Sequence, residues 1–291
     1  MREYFSLNGH LIDPKGQAGD FCKDRGLAYG HGLFESILYR ESEVPLVERH
    51  LHRICHDAKV LGIEVKPLAL ETYLYQFINS LKEQGVTEGV IKIIVTAGTG
   101  GRGYAPPSQI EPSVICTYSP LPPDLPDQGR GITVRCCNHR LPINTALAGL
   151  KHLNRLDQVL AWAEWNSADY DEGLMLDSGD KLIEAISANI FIYIDGNWLT
   201  PDLKDAGVCG VMRSLLLSEV FLDSQMQVKV ANIDIKQLNF CQEMFICNSI
   251  RGIVPVTAIY SAGGKLLKSL PRGEQTLMLR SQLISKYSHY Q

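Results

Sequence analysis

The chain has 291 residues, of which 45% are hydrophobic and 21% charged, with 28 Lys plus Arg against 32 Asp plus Glu and a formal net charge of -4. This composition excludes a disordered, collagen-like or coiled-coil chain, and the acidic balance leaves no electrostatic footprint for nucleic acid. At this length about three quarters of the unfolded surface becomes buried on folding, so no disulfide or metal is needed to hold a core, and two domains are expected, with one large domain as the alternative. The N-terminal stretch carries Arg2 and Glu3 and has no apolar run, so it reads as a strand and not as a signal peptide. No window is apolar enough to span a membrane, and a cytoplasmic protein is expected. The eight cysteines (22, 55, 116, 136, 137, 209, 241 and 247) form no CxxC pair and sit mostly in apolar runs. Buried, reduced thiols are the expectation.

Residues 4–7, an Asn8-Gly9 turn and residues 10–12 read as a hairpin. The segment 22–32 reads as a loop feeding a strand over 33–39. The helical spacing of Leu51, Ile54, Ala58 and Leu61 predicts a helix over 46–61, and a second covers about 68–84. Strands follow at 90–95 and 113–118, and the absence of steady βαβ alternation predicts an α+β class. Ser119-Pro-Leu-Pro-Pro-Asp-Leu-Pro126 holds four prolines in eight residues. This stiff, donor-poor stretch predicts a linker over 119–130 between a small domain (1–118) and a larger one (131–291). Beyond it come a strand at 132–137 and an amphipathic helix marked by Leu153, Leu156, Leu160 and Ala163. A meander through 172–177, 181–185, 189–194 and 198–200 leads to a helix opened by Gly210. Strands at 244–247 and 253–259 and a helix over 273–286 complete the chain.

Gly98-Thr-Gly100-Gly-Arg-Gly103 matches G-x-G-x-x-G behind a strand, but Pro106 and Pro107 argue against the helix a dinucleotide fingerprint requires. A close-approach loop carrying Arg102 is the better reading, with a nucleotide-binding protein as the distant alternative. The second half holds more chemistry. Lys151 has His152 and Arg155 beside it, and a lysine crowded by cations and partly desolvated becomes a nucleophile and base. Glu184 sits in an apolar strand, where a lone carboxylate is costly unless paired with a cation. Ser187-Ala188-Asn189 follows as a small-residue loop, and Gly207 to Arg213 supplies a glycine-rich start to a helix, a ready anion site. Arg53, on the first predicted helix, can hold a phosphate in bidentate fashion. For Lys151, Glu184 and Arg53 the competing readings are a solvated helix-start lysine, a solvent-facing strand residue and a surface ion pair. Together these residues are the parts that pyridoxal phosphate requires of a protein.

Gly149-Leu-Lys151-His-Leu-Asn-Arg155, Glu184-Ala-Ile-Ser-Ala-Asn189 and Ala206-Gly207-Val-Cys-Gly210-Val-Met-Arg213 resemble the class IV pyridoxal-phosphate enzymes. The resemblance runs from Asn8-Gly9 to Val254-Pro255-Val256, and the Lys151 motif and Gly100-Gly-Arg-Gly-Tyr104 are most similar to the aminodeoxychorismate lyase branch. It implies a two-domain class IV aminotransferase-like fold, with a small N-terminal α/β sandwich-like domain and a larger C-terminal β-barrel-like domain with helices, in a homodimer. It implies a lyase forming p-aminobenzoate and pyruvate from 4-amino-4-deoxychorismate, or else a branched-chain or D-amino-acid aminotransferase on the same scaffold. Lys151 would carry the cofactor and act as base and acid, and Glu184 would hold the pyridine nitrogen. Arg53, Ser187, Ala188, Asn189, Gly210, Val211 and Met212 would hold the phosphate. Tyr29, Phe34, Arg102 and Asn248 would border the substrate. The chain departs from the branch at Gly30-His31-Gly32, where Gly-Asp-Gly is usual, at Ala97 in place of an arginine, and at Arg251 in place of an apolar residue. Arg251 is the charge available to compensate for Ala97.

Overall fold

The computed structural model describes residues 4–11, 21–100, 103–122, 130–166 and 168–291. Arg102, residue 12 of the predicted second strand and much of the predicted linker lie outside these residues. Two compact units emerge, Met1–Pro122 with Lys151–Asn154, and Pro123–Leu150 with Arg155–Gln291. The linker argument assigns Lys151–Asn154 to the second domain. They join the first unit because their backbone pairs with one of its strands, as described below.

In the first unit, β1 (Tyr4–Leu7) and β2 (His10–Leu11) form the predicted hairpin, with Asn8 and Gly9 at φ +48° and +84°, the left-handed geometry of a two-residue turn. With β3 (Gly32–Tyr39), β4 (Gly89–Thr96) and β5 (Ser113–Ser119) they make an antiparallel sheet of order β2-β1-β5-β4-β3. Strand alternation sends Leu33, Glu35, Ile37 and Tyr39 to one buried face. There α2 (Val47–Val60) and α3 (Pro67–Glu83) supply Ile54, Ala58, Leu70, Leu74, Phe77 and Leu81. Each of the Ile, Leu and Phe side chains taken from water stabilises by roughly 1.5–3 kcal/mol. The segment read as a loop contains a short helix, α1 (Arg25–Tyr29), capped by Asp24, which accepts the Gly26 N–H at 2.7 Å. Five residues with a glycine among them show no periodicity, so the helix is invisible to pattern.

The second unit is a ten-stranded sheet. Its strands are β6 (Ile132–Leu141), β7 (Glu172–Asp177), β8 (Lys181–Ala185), β9 (Asn189–Ile194), β10 (Asn197–Pro201), β11 (Val228–Ala231), β12 (Ile233–Asp234), β13 (Glu243–Asn248), β14 (Gly252–Tyr260) and β15 (Leu266–Ser269). Their order is β11-β10-β9-β13-β14-β6-β7-β8-β12, with β15 on β14. The two margins, β11 and β12, are separated in sequence by Asn232 alone. A one-residue link between opposite edges makes the sheet curl into a barrel-like form. Val134, Leu174, Ile190, Ile192, Ile246 and Val256 fill its interior. Outside, Phe191 stacks on Phe245 with ring centroids 4.8 Å apart and on Phe221 at 5.4 Å. Phe221 belongs to a helical run made of α5 (Val211–Leu215), a π-helical turn (Leu216–Val220) and α6 (Phe221–Asp223). With both faces covered, β9 reads Asn-Ile-Phe-Ile without polar alternation. α7 (Glu274–Lys286) packs on β13 and β14.

The architecture is α+β, a two-layer unit followed by a barrel-like one. The predicted helix at Leu153 starts later, as α4 (Leu156–Trp162), and turns its leucines outward: Leu156, Val159 and Leu160 are 67%, 60% and 48% exposed. No helix follows the Gly98–Gly103 motif among the described residues, which are irregular from 103 to 112. None of the eight cysteines forms a disulfide; five are buried and Cys55 is half-buried, but Cys22 and Cys209 are exposed, which corrects the expectation of buried thiols at those two positions. No described helix is long and apolar enough to cross a membrane.

Candidate active site

In the first unit, Lys151 lies opposite Phe34 of β3. The Phe34 N–H donates to Lys151 O at 3.0 Å, the Leu153 N–H donates to Gly32 O at 2.9 Å, and His152 bridges Leu33. The Lys151 N–H donates to the Asp57 carboxylate at 3.0 Å. The backbone is thus pinned on two sides, which fixes where the amine side chain starts. Its Nζ stands 4.2 Å from the centroid of the Phe34 ring, and Lys92 Nζ stands 4.8 Å from the same centroid. Lys92 escaped the sequence reading, although a lone cation in Val90-Ile-Lys-Ile-Ile-Val95 is the same kind of signal that singled out Glu184. Asn154 donates to Gly30 O at 3.1 Å, and a Cβ at Gly30 would fall 2.2 Å from Asn154 Oδ1, which accounts for a glycine there.

Arg53 is aimed by a partner the sequence did not reveal. Its Nε and Nη2 donate to the two oxygens of Glu35 at 2.7 and 2.5 Å, and His50 Nδ1 lies 2.6 Å from Glu35 Oε2. Burial pushes the Glu35 carboxyl up, but the charges of Arg53 and His50 and their hydrogen bonds outweigh it and bring it down to about 2.

The second unit holds a woven segment at 207–210. Gly207 O accepts the Gly149 N–H at 2.9 Å, and the Cys209 N–H donates to Gly149 O at 2.9 Å. Glu184 Oε2 accepts the Val208 N–H at 2.8 Å. The Asn189 amide donates to Val208 O at 2.8 Å and accepts the Gly210 N–H at 3.1 Å. Asn189 therefore fixes the start of the helix at Gly210, whose first-turn N–H groups at Val211 and Met212 have no intrahelical acceptor. A Cβ at Gly210 would sit 2.1 Å from Asn189 Oδ1, and one at Gly207 3.2 Å from Glu184 Oε2. Glu184 is only 4% exposed, and Arg155, its guanidinium made less basic by burial, feels the opposing charges of Glu184 and Asp157. Ser187 gives its hydroxyl to Glu172 at 2.5 Å, and the Ile186 N–H goes to Gly173 O at 2.9 Å. Donors at 186–187 are thus spent inside the unit, while those at 211–212 point out of the helix start. A buried acceptor carboxylate fits a protonated ring nitrogen, and a glycine cradle at a helix start fits a phosphate. Each unit thus carries groups of the kind that pyridoxal phosphate requires of a protein, an amine and a braced guanidinium in the first, and a buried carboxylate with a helix start in the second.

The remaining predicted residues shape loops. Asn248 donates to Ser187 O at 3.2 Å and accepts the N–H groups of Ile250 and Arg251 at 3.0 and 2.9 Å. Tyr29 accepts the Gly103 N–H at 3.0 Å and lies under the Arg25 guanidinium. Arg25, another residue missed, donates to the carbonyls of Gly103, Tyr104 and Ala105 and, at 3.3 Å, to His31 Nδ1. A guanidinium only donates and a carbonyl only accepts, so His31 carries its ring hydrogen on Nε2, toward Leu61 O at 3.0 Å. Ala97 is fully buried in the core of the first unit, where an arginine has no room.

The sequence profile described as amino-transferase class IV matches residues 32–259. The chain is 32% identical over 263 residues to the aminodeoxychorismate lyase of Vibrio harveyi, covering 89% of this chain and 94% of that one. It is 30% identical over 277 residues to a Methanocaldococcus jannaschii protein named as a branched-chain-amino-acid aminotransferase, covering 95% and 93%. The crystal structure of 4-amino-4-deoxychorismate lyase from Pseudomonas aeruginosa matches with a TM-score of 0.86 at 37% identity, over 97% of this chain and 99% of that one. With the profile, the full-length relatives and the fold in agreement, the chain belongs to the class IV aminotransferases, a pyridoxal-phosphate-dependent family.

Proposed function

We propose that the protein is a pyridoxal-phosphate-dependent aminodeoxychorismate lyase, converting 4-amino-4-deoxychorismate to p-aminobenzoate and pyruvate on the way to folate. The observation that carries the reading is the 37% identity to the Pseudomonas aeruginosa lyase across 97% of the chain, with the Vibrio harveyi lyase beside it. The Lys151-His-Leu-Asn-Arg155 motif adds support.

Bound pyridoxal phosphate supplies an electron-poor pyridinium ring able to take up carbanionic charge. Glu184, buried and acceptor-only when ionised, keeps the ring nitrogen protonated. Val211 and Met212 N–H groups, set by Gly210 and Asn189, would hold the phosphate, and Arg53 would supply a further positive charge for it. Lys151 is the attachment point. Its amine, when released, removes the proton at substrate C4 and later returns one. Loss of that proton with rupture of the C3–O bond makes the ring aromatic, and the departing enolpyruvate tautomerises to pyruvate. Lys92, sharing the Phe34 ring with Lys151, supplies charge for a dicarboxylate substrate where Ala97 supplies none.

The test is direct: cofactor-loaded protein given fresh aminodeoxychorismate should release p-aminobenzoate, read by its fluorescence. A yellow protein that releases none, yet transfers an amino group to a 2-oxo acid, would favour the aminotransferase reading. Lys92→Met is expected to raise KM about tenfold or more with kcat little changed, the usual cost of one charged hydrogen bond. An unchanged KM would remove Lys92 from substrate binding. The outward Leu156, Val159 and Leu160 support a homodimer, and mostly buried thiols with no disulfide among them support a cytoplasmic setting. Sedimentation as a monomer at micromolar concentration would contradict the dimer.

A further inference from the structure

Glu172, the first residue of β7, has no part in the mechanism above, yet it is fully buried. Its Oε2 accepts the Ser187 hydroxyl at 2.5 Å and faces Arg251 Nη2 at 3.8 Å, and its Oε1 accepts the Gly173 N–H at 3.2 Å. The Ser187 backbone N–H is given to the same carboxylate. Burial pushes the Glu172 carboxyl up on balance, against the opposing charge of Arg251 and then these donors. Among the described residues the Cys137 thiol also faces it, and burial and the charges of Glu164 and Glu172 push this thiol up to about 12, so it is neutral. Arg251 is thus the counter-charge on which an ionised Glu172 depends. The turn that carries Arg251 is joined a second time to Ser187, through the Asn248 amide bonded to Ser187 O at 3.2 Å. From Ser187 the chain runs directly to Asn189, whose amide fixes the helix start at Gly210.

We propose that Glu172 and Arg251 form a positioning pair: Arg251 serves Glu172 and not a substrate carboxylate, and the pair fixes Ser187–Asn189 so that Asn189 holds the helix start where the cofactor phosphate binds. The inference rests on the cofactor reading above. Physically, removing one member of a buried pair leaves the other uncompensated, whereas removing both is far less costly. A substrate ligand would behave differently, because deleting its partner could not restore it.

The experiment is a titration of the cofactor-free protein with pyridoxal phosphate, read by absorbance, for wild type, Arg251→Met, Arg251→Lys, Glu172→Gln and the double variant Glu172→Gln/Arg251→Met. Arg251→Met is expected to weaken cofactor binding about tenfold, Arg251→Lys to recover part of it, and the double variant to return to within about threefold of wild type. Should Arg251→Met not fold, Glu172→Gln and Ser187→Ala carry the test: their effects on cofactor affinity are expected to overlap and not add. Unchanged cofactor affinity in Arg251→Met, with substrate KM raised tenfold and no relief from Glu172→Gln, would overturn the proposal and make Arg251 a substrate ligand. A lowered melting temperature with unchanged cofactor affinity in every variant would reduce the pair to a structural one. Wild-type protein that binds no pyridoxal phosphate would defeat the cofactor reading itself, a result distinct from both.

Discussion

Replacing Lys151 by alanine is expected to lower kcat by about 10⁴-fold or more and to abolish the borohydride-reducible linkage to pyridoxal phosphate. The size follows from the number of roles removed, since in the proposed mechanism one amine serves as attachment point, base and acid. The loss should be confined to chemistry. What holds this residue is its backbone, through the Asp57 carboxylate on its N–H and the Phe34 N–H on its carbonyl, and both survive the substitution. A melting temperature within a few degrees of wild type is therefore expected. Lys151→Arg separates charge from nucleophilicity, because it keeps a cation over the Phe34 ring but has no amine to attach the cofactor. It should be as inactive as the alanine variant. Mass spectrometry after reduction reads the linkage, and p-aminobenzoate release reads turnover. Activity within tenfold of wild type in either variant would remove Lys151 from the centre of the mechanism.

The residues proposed to carry chemistry were more legible in the sequence than the residues that hold them. Lys151, Glu184 and the Gly207–Gly210 segment announce themselves as breaks in local pattern: an amine among cations, a carboxylate in an apolar strand, glycines before a helix. Their supports do not, because each support is a long-range consequence of packing. Asp57 reaches the Lys151 N–H across 94 residues, and Arg25 reaches Tyr104 O across 79. Glu35 was passed over although it too is a carboxylate in an apolar strand. It pairs with Arg53 only because α2 lies over the buried face of β3. The barrel-like closure, which the family resemblance implied, was equally hidden from local pattern. It depends on β11 and β12, four and two residues long, too short for hydrophobic alternation to develop. In α4 the leucine spacing gave the stripe but not its direction. Periodicity tells that apolar residues share a face, and only tertiary contacts tell whether that face meets the same chain or another.

Glu35 offers the other large effect, on stability and its dependence on pH. Its carboxyl titrates at about 2 in the folded protein against an ordinary 4.5, so the unfolded chain binds the proton more tightly than the folded one. The stabilisation is therefore complete above about pH 4.5 and is lost as pH falls through about 2. The difference, 4.5 minus 2, corresponds to roughly 3 kcal/mol. Glu35→Gln keeps the shape but leaves the Arg53 guanidinium facing an amide, and it removes the carboxylate from His50. The second ring nitrogen of His50, Nε2, is buried without a hydrogen-bond partner, so His50 has no alternative anchor there. Breaking a buried pair in this way costs about 3–5 kcal/mol at neutral pH. In urea, the variant is expected to unfold well before wild type at pH 7, with the gap narrowing progressively at pH 4 and pH 3 as wild type begins to lose what the variant never had. A gap of constant size across that range would mean that Glu35 contributes through packing and not through its charge.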